Sequence, residues 1–331
     1  MPVALDQMAA MQDQDTLRPV SFHQATKVSA TDTPTIYEAY IYPDWCFGSV
    51  PHGGHLFSIV TKAVRLHCQK NPKTKHLVDS ISSNISYLRP TKLGSVQIHV
   101  DDLRTSPAFS TYRAALYQEH PPNSGQYTRH CLEAIITQGS VALEQRSKSL
   151  TLPPPETSSR SPPPTRDGWG VLELQKTGIP FYRHKPRYQQ LFPPNTNLRQ
   201  QQYEHPIWGP SIRENWFRAD ENWTPDHLPY LVDLFGPVHM NYAEGSHHWH
   251  PTLNISLELK KLPPTDAGWE WLHGRMDLRE CRNSRQVLDV VISDEEGEVV
   301  ALARHVNFLV PMQRYQGAGK TGGKGKGDSK L

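Results

Sequence analysis

The residues best suited to chemistry fall in a few short stretches. The first is His52-Gly53-Gly54-His55, two histidines around a glycine pair. If a helix starts there, its first backbone N–H groups lack intrahelical partners and its dipole favours developing negative charge. A substrate carbonyl could approach the bare backbone at Gly54 and His55 and be polarised there, with His52 and Gly53 lining the approach. The alternative is that the glycines serve only close helix–sheet packing. His52 and His55 are also candidate bases. His305, within Val300-Ala-Leu-Ala-Arg-His305, is a second general-base candidate, because an imidazole pKa near 6.5 suits work near neutral pH. Its alternative is a half-buried strand histidine satisfied by a neighbour. Asn254 could orient a water or donate to an oxyanion. Asp44 is a further candidate near the substrate, or the cap of a turn. His247-His248-Trp249-His250 invites a metal reading, since His248 and His250 would share one face of a strand. Glu244 is the nearest carboxylate, so no metal is expected and the run reads as a loop at the mouth of a pocket.

These residues need elements to hold them. The chain has 331 residues, 37% hydrophobic and 21% charged, enough for a sizeable core in one large or two smaller domains. Lys plus Arg number 35 against 33 Asp plus Glu, a net charge of +2, which argues against a globally basic nucleic-acid binder. No apolar run is long enough for a membrane span, and the polar N-terminus does not read as a secretory signal. Cys46, Cys68, Cys131 and Cys281 form no C-x-x-C pair, which argues against a thiolate zinc site, and without a secretory signal no disulfide framework is expected. No cofactor is expected.

Residues 1–34 read as poorly ordered and 35–143 as a first folded block. Residues 144–225 read as a connection, Pro- and Ser-rich over 151–168 and irregular over 169–224. Residues 226–312 read as a second block and 313–331 as a disordered basic tail. In the first block a loop from Tyr42 leads to a helix over His55–Gln69 with an apolar face, then to strands Val78–Leu88, Ser95–Leu103, Thr111–Gln118 and Thr128–Thr137. In the second, a short helix over His227–Phe235 with Pro229 in its first turn precedes strands Thr252–Leu262, Glu270–Arg279, Gln286–Ser293 and Val299–Pro311. Asp294-Glu-Glu-Gly297 reads as a solvated hairpin tip. The same order occurs twice, and Asn84-Ile85-Ser86 recurs 170 residues on as Asn254-Ile255-Ser256. This predicts an α+β double hotdog, two antiparallel sheets each wrapped around a central helix, with the sheets able to join edge to edge.

The chain ends Ser329-Lys330-Leu331, the peroxisomal import tripeptide, on a Gly-rich basic tail that would present it to an import receptor. The expected location is therefore the peroxisome, against the alternative of a chance match.

Together these segments resemble the fungal thioesterase-like proteins and, more distantly, acyl-CoA thioesterase II. The resemblance rests on Asp44-Trp45-x-x-Gly48-x-Val50-Pro51-His52-Gly53-Gly54 and Tyr87-Leu88-Arg89-Pro90-Thr91-x-x-Gly94. It continues through Trp249-His-Pro-Thr-Leu253, Glu270-Trp271-Leu272 and Asp294 to Leu302. It implies a double hotdog acting on an acyl-CoA or related acyl thioester, as a hydrolase releasing free acid and CoA. In acyl-CoA thioesterase II an Asp, a Thr or Ser and a Gln of the second hotdog hold a water against the thioester. By this resemblance the Asp position falls on Asn254, the Gln position on His305, and the Thr position near Arg279 or Cys281. Arg89, Lys92, Lys260 and Lys261 could meet CoA phosphates, or be solvated surface charges. A hotdog hydratase or dehydratase, using a His with an acid, is one alternative. A non-catalytic acyl-CoA binder is another. One double hotdog supplies the equivalent of a dimer, and further homo-oligomer association stays open.

Overall fold

The structure is a computed structural model that describes residues 20–47, 50–146, 150, 152, 169–171, 188–194, 196–197, 202–234, 238–242 and 248–311. The Pro-rich 153–168 run, His247, Phe235 and the terminal tripeptide lie outside the described residues.

The first half is built on a long helix, α1 (Gly53–Lys70). Leu56, Phe57, Ile59, Val60, Ala63 and Val64 are all buried, so the helix is enclosed rather than lying on a surface. His67 and Lys70 sit in its last turn, where positive charge complements the dipole. Strands β1 (Ile36–Ile41), β2 (Asp79–Tyr87), β3 (Gly94–Arg104), β4 (Ser110–Glu119) and β5 (Tyr127–Gly139) wrap it. Their period-2 burial puts Val96, Ile98, Val100, Ala114, Leu116, Leu132, Ala134 and Ile136 against the helix.

The second half adds β6 (Tyr188–Phe192) and β7 (Ile212–Ala219), then a much shorter helix, α2 (Leu228–Val232). Pro229 stands in the first turn of α2, and a reciprocal Thr224–His227 cap precedes it. Strands β8 (Thr252–Leu259), β9 (Leu272–Arg282), β10 (Arg285–Ser293) and β11 (Val299–Phe308) follow.

The two expected sheets are joined edge to edge into one continuous sheet, so they are not two distinct sheets. Thirteen of the described strands form one antiparallel sheet, ordered Val28–Ala30, β1, β3, β4, β5, β2, β8, β11, β10, β9, β7, β6, Gly170–Val171, beside two small two-stranded ribbons. The halves join through β2 and β8, where Ile85 pairs with Ile255, Ser86 with Asn254 and Asn84 with Ser256. The recurring tripeptides thus pair with each other around an approximate twofold axis. Joining removes two edges that would otherwise expose unpaired backbone groups. Two further expectations are corrected. Phe22–Ala25 is helical within the segment read as poorly ordered, with Phe22 and Ala25 buried. Residues read as irregular supply β6 and β7, and all six residues from Ile212 to Phe217 are buried. Because this stretch is covered on both faces, it has no polar–apolar alternation to betray a strand.

Candidate functional site

The start of α1 and the end of α2 meet where the halves join. The approach is close enough to require glycine on α1. A Cβ on Gly54 would stand 2.4 Å from the Pro229 carbonyl oxygen and 2.8 Å from the Tyr230 Cα. A Cβ on Gly53 would stand 2.8 Å from Asp233 Oδ2. The glycines therefore do serve close packing, of helix on helix.

Asp233, the residue closing α2, is the centre of this junction. The Gly54 N–H donates to its Oδ2 at 2.7 Å, so the second half supplies the cap that His52, the residue before α1, does not provide with its side chain. His52 Nδ1 lies 3.5 Å from the same oxygen. On the other oxygen, His305 Nδ1 of β11 lies 3.8 Å from Oδ1, and the Thr252 side chain at the start of β8 helps to lower the pKa of the carboxyl group. Tyr87, ending β2, completes the surround. A Cβ on Gly53 would be 3.2 Å from its hydroxyl, and that buried hydroxyl has no hydrogen-bond partner among the described residues.

Burial governs the ionisation of these groups. It pushes the Asp233 carboxyl above its ordinary value, against the opposing pull of His305, the Gly54 N–H and Thr252. It pushes His52 down to about 4, although Asp233 opposes this. His305 is lowered for the same reason, with Asp233 pulling the other way. Near neutral pH both imidazoles are neutral beside a carboxyl group that holds its proton unusually well. His305 Nε2 is buried with no hydrogen-bond partner among the described residues.

Of the residues singled out from the sequence, the structure gathers His52, Gly53, Gly54 and His305 around Asp233. The others lie elsewhere. The Gly54 amide, expected to face a carbonyl, is engaged by Asp233. His55 is fully buried among aromatic rings, stacked on Trp45 at 5.7 Å and edge-on to Phe22, and burial pushes it down to about 3. Asn254 is corrected from the water site to the seam. Its pleat is opposite to that of Ile255, and its amide donates to Asn84 Oδ1, the Ile85 carbonyl and Ser86 Oγ. Arg279 is a half-exposed partner of Asp289, at 2.6 Å, and Cys281 is exposed. Asp44 accepts the Val20 N–H at 2.8 Å and so ties down the N-terminal segment. Over its described part the histidine run is a short strand, His248–Trp249, followed by His250. His250 is pushed by burial down to about 4, and its ring lies 5.8 Å from that of His239. His248 pairs with Pro311 in a two-stranded ribbon.

Sequence reasoning missed Asp233, Thr252 and Tyr87. The signal for Asp233 was available, because it follows the apolar run Leu228–Val232 and lies within the predicted second helix. The acid was sought on the following strand instead.

The family model of the acyl-CoA thioesterase N-terminal domain matches residues 41–139, and that of the acyl-CoA thioesterase C-terminal domain matches residues 155–309. A thioesterase-like protein, TwmA, of Talaromyces wortmannii is 22% identical over 354 residues, spanning 89% of this chain and 94% of its own. A hot dog fold protein of unknown function from Alicyclobacillus acidocaldarius superposes with a TM-score of 0.67 at 15% identity, covering 87% of this chain and 97% of its own. The acyl-CoA thioesterase II TesB2 of Mycobacterium marinum superposes at 0.62 and 15% identity, covering 88% of this chain and 98% of its own.

Proposed function

Because the chain belongs to the acyl-CoA thioesterase family, we propose that it hydrolyses an acyl thioester, in its simplest form an acyl-CoA, at the Asp233–His305 pair. One observation carries this reading. A carboxyl group and a neutral imidazole face each other at the junction of the two halves, and the far nitrogen of the imidazole is buried and unpartnered among the described residues. Asp233 opposite Nδ1 favours the tautomer with its proton there, which leaves Nε2 a lone pair. His305 then takes a proton from water as the water attacks the thioester carbonyl. The carbonyl oxygen gains negative charge, which the Tyr87 hydroxyl can meet with a hydrogen bond. As the C–S bond breaks, the proton on Nε2 passes to the departing sulfur, giving free acid and thiol. Thr252 and the Gly54 N–H hold the carboxyl group in place. The family resemblance puts the Asp position on Asn254 and the Thr position near Arg279 or Cys281, so Asp233 and Thr252 carry those residue types at other positions, and His305 stands where a Gln was expected.

The test is thiol release from short, medium and long acyl-CoAs by wild type, Asp233→Asn and His305→Ala. Hydrolysis that drops at least about 100-fold in both variants is expected. A folded wild type that releases no thiol from any of them overturns the reading.

The same pair favours a second reading, since a His beside an acid is also the equipment of a hotdog hydratase or dehydratase. Hydration of enoyl-CoA without thiol release would select it. The peroxisomal setting belongs to the proposal through Ser329, Lys330 and Leu331, and a fluorescent fusion that stays diffuse with those residues intact and terminal would overturn it.

A further inference from the structure

The interior of the second half continues from Asp233 as a row of polar side chains. Thr252 pairs with Asn307 and Asn307 with Gln286, so antiparallel register turns these side chains to one face. It is the face of His305, two residues from Asn307 along β11, about 7 Å at some 3.4 Å per residue. Gln286 is fully buried, and neither its Nε2 nor its Oε1 has a hydrogen-bond partner among the described residues. Asn307 is 4% exposed, with Oδ1 in the same condition. Across the same interior Asn215 is fully buried, and its amide donates to the Leu191 carbonyl while its Oδ1 is unpartnered among the described residues. His239 Nδ1 is likewise buried and unpartnered there. A plain hydrocarbon chain would leave these groups unsatisfied, each at a desolvation cost. A chain carrying its own oxygens would satisfy them.

We propose that the acyl group accepted by this protein is oxygenated, bearing a hydroxyl or keto group that Gln286 and Asn307 recognise by hydrogen bonds. The proposal rests on the hydrolase reading for the position of the thioester, but its test can be separated from that reading. A site built to hydrogen-bond a substrate hydroxyl rejects the analogue lacking it far better than an apolar pocket rejects a missing methylene.

The probes are octanoyl-CoA and its 3-, 5- and 7-hydroxy counterparts. Each is assayed for thiol release, and each is also measured by calorimetry as the hydrolysis-resistant thioether analogue. At least a tenfold preference of wild type for one hydroxylated form over the plain chain is expected. Gln286→Leu and Asn307→Leu should bring that ratio close to one, and Gln286→Met serves if either fails to fold. Arg279→Ala, on the outer face, should leave the ratio intact. Indiscriminate binding by wild type, or a preference that survives the Leu variants, overturns the proposal. Selective binding without thiol release would sink the hydrolase reading and keep this one. Thiol release with indiscriminate binding would do the reverse.

Discussion

The two halves share a strand order and one continuous core, but the second half's interior face is the more polar. In the first, an 18-residue helix packs on a sheet face made of Val96, Ile98, Val100, Leu116, Leu132 and Ile136. In the second the helix has five residues, and buried Leu272, Met276, Leu288, Val290 and Ile292 share the sheet face with the buried polar side chains of His305, Asn307, Gln286 and Asn215. Burying apolar surface stabilises at roughly 25 cal/mol per Å². Burying polar groups without partners costs about 1–3 kcal/mol each. A duplicated fold can therefore divide its labour, the first half supplying stability and the second giving some up to hold polar groups in a dry interior. The site forms where they meet, since Asp233 of the second half caps the helix of the first.

The largest test of this division is acidification. Burial pushes His55 down to about 3 and His52, His227 and His250 down to about 4. A group with a depressed folded pKa contributes stability above its unfolded value, near 6.5 for histidine, and loses it as pH falls toward the folded value. Each histidine should remove about 1.4 kcal/mol per pH unit in that window. Asp233, whose folded pKa is raised, works oppositely and contributes more as pH falls. With His239, also pushed down to about 3, these five histidines outnumber the two carboxyl groups that burial raises, Asp233 and Asp79, and acid is destabilising on balance. Four of the five, His52, His227, His239 and His250, lie at the junction or in the second half. Hydrogen exchange at pH 5 should then show β8–β11 losing protection before β3–β5. Simultaneous loss in both halves would break the comparison.

Asp233→Asn should lower turnover by about 100-fold to 10,000-fold, with a melting temperature at pH 7.5 no lower than wild type. Removing a buried ionisable group with a raised pKa relieves a cost that grows with pH, while Asn keeps an oxygen for the Gly54 N–H. Strong destabilisation in Asp233→Asn would mean that its main role is to cap α1. Third in size is a pair of core substitutions measured by denaturant unfolding. Ile98→Ala in the first half should cost about 2–5 kcal/mol. Gln286→Leu in the second should be neutral or stabilise by about 1 kcal/mol, since it removes an unsatisfied amide. Equal losses would mean that the second interior is as tightly specified as the first.

The sequence was most informative where one face of an element is solvated or a pattern repeats. The helix predicted over His55–Gln69 and the eight predicted strands match their elements to within about two or three residues at most ends, helped by alternating burial such as that over Val96–Val100 of β3 and Ser110–Ala114 of β4. β7 was invisible because both its faces are covered, which erases the period. Of the residues gathered around Asp233, His52, Gly53, Gly54 and His305 were singled out from residue type alone. Asp233 closes the predicted second helix, but its pairing with Gly54, 179 residues away, is set by a junction between elements that no local pattern shows. Asn254 carries two readings because a tripeptide shared by two halves resembles a functional motif as closely as it resembles a symmetry mark.

Asn254→Ala should therefore have the smallest effect, and it discriminates between those two meanings. At the seam its amide bridges Asn84, Ile85 and Ser86 on β2. Losing partly exposed hydrogen bonds of this kind costs about 1 kcal/mol, and the Asn84→Ala/Asn254→Ala double variant should show coupling between the two, because each removes a partner of the same bond. Turnover should stay within about threefold of wild type, since the side chain points away from the face that holds His305. Thr252→Val, two residues earlier, should instead lower turnover at least about tenfold, because a bulge between Thr252 and Asn254 shifts the register and the Thr252 hydroxyl reaches Asp233. If Asn254→Ala is the more damaging of the two for catalysis, the outer face of the seam is the reacting face, and the assignment of Asp233 falls with it.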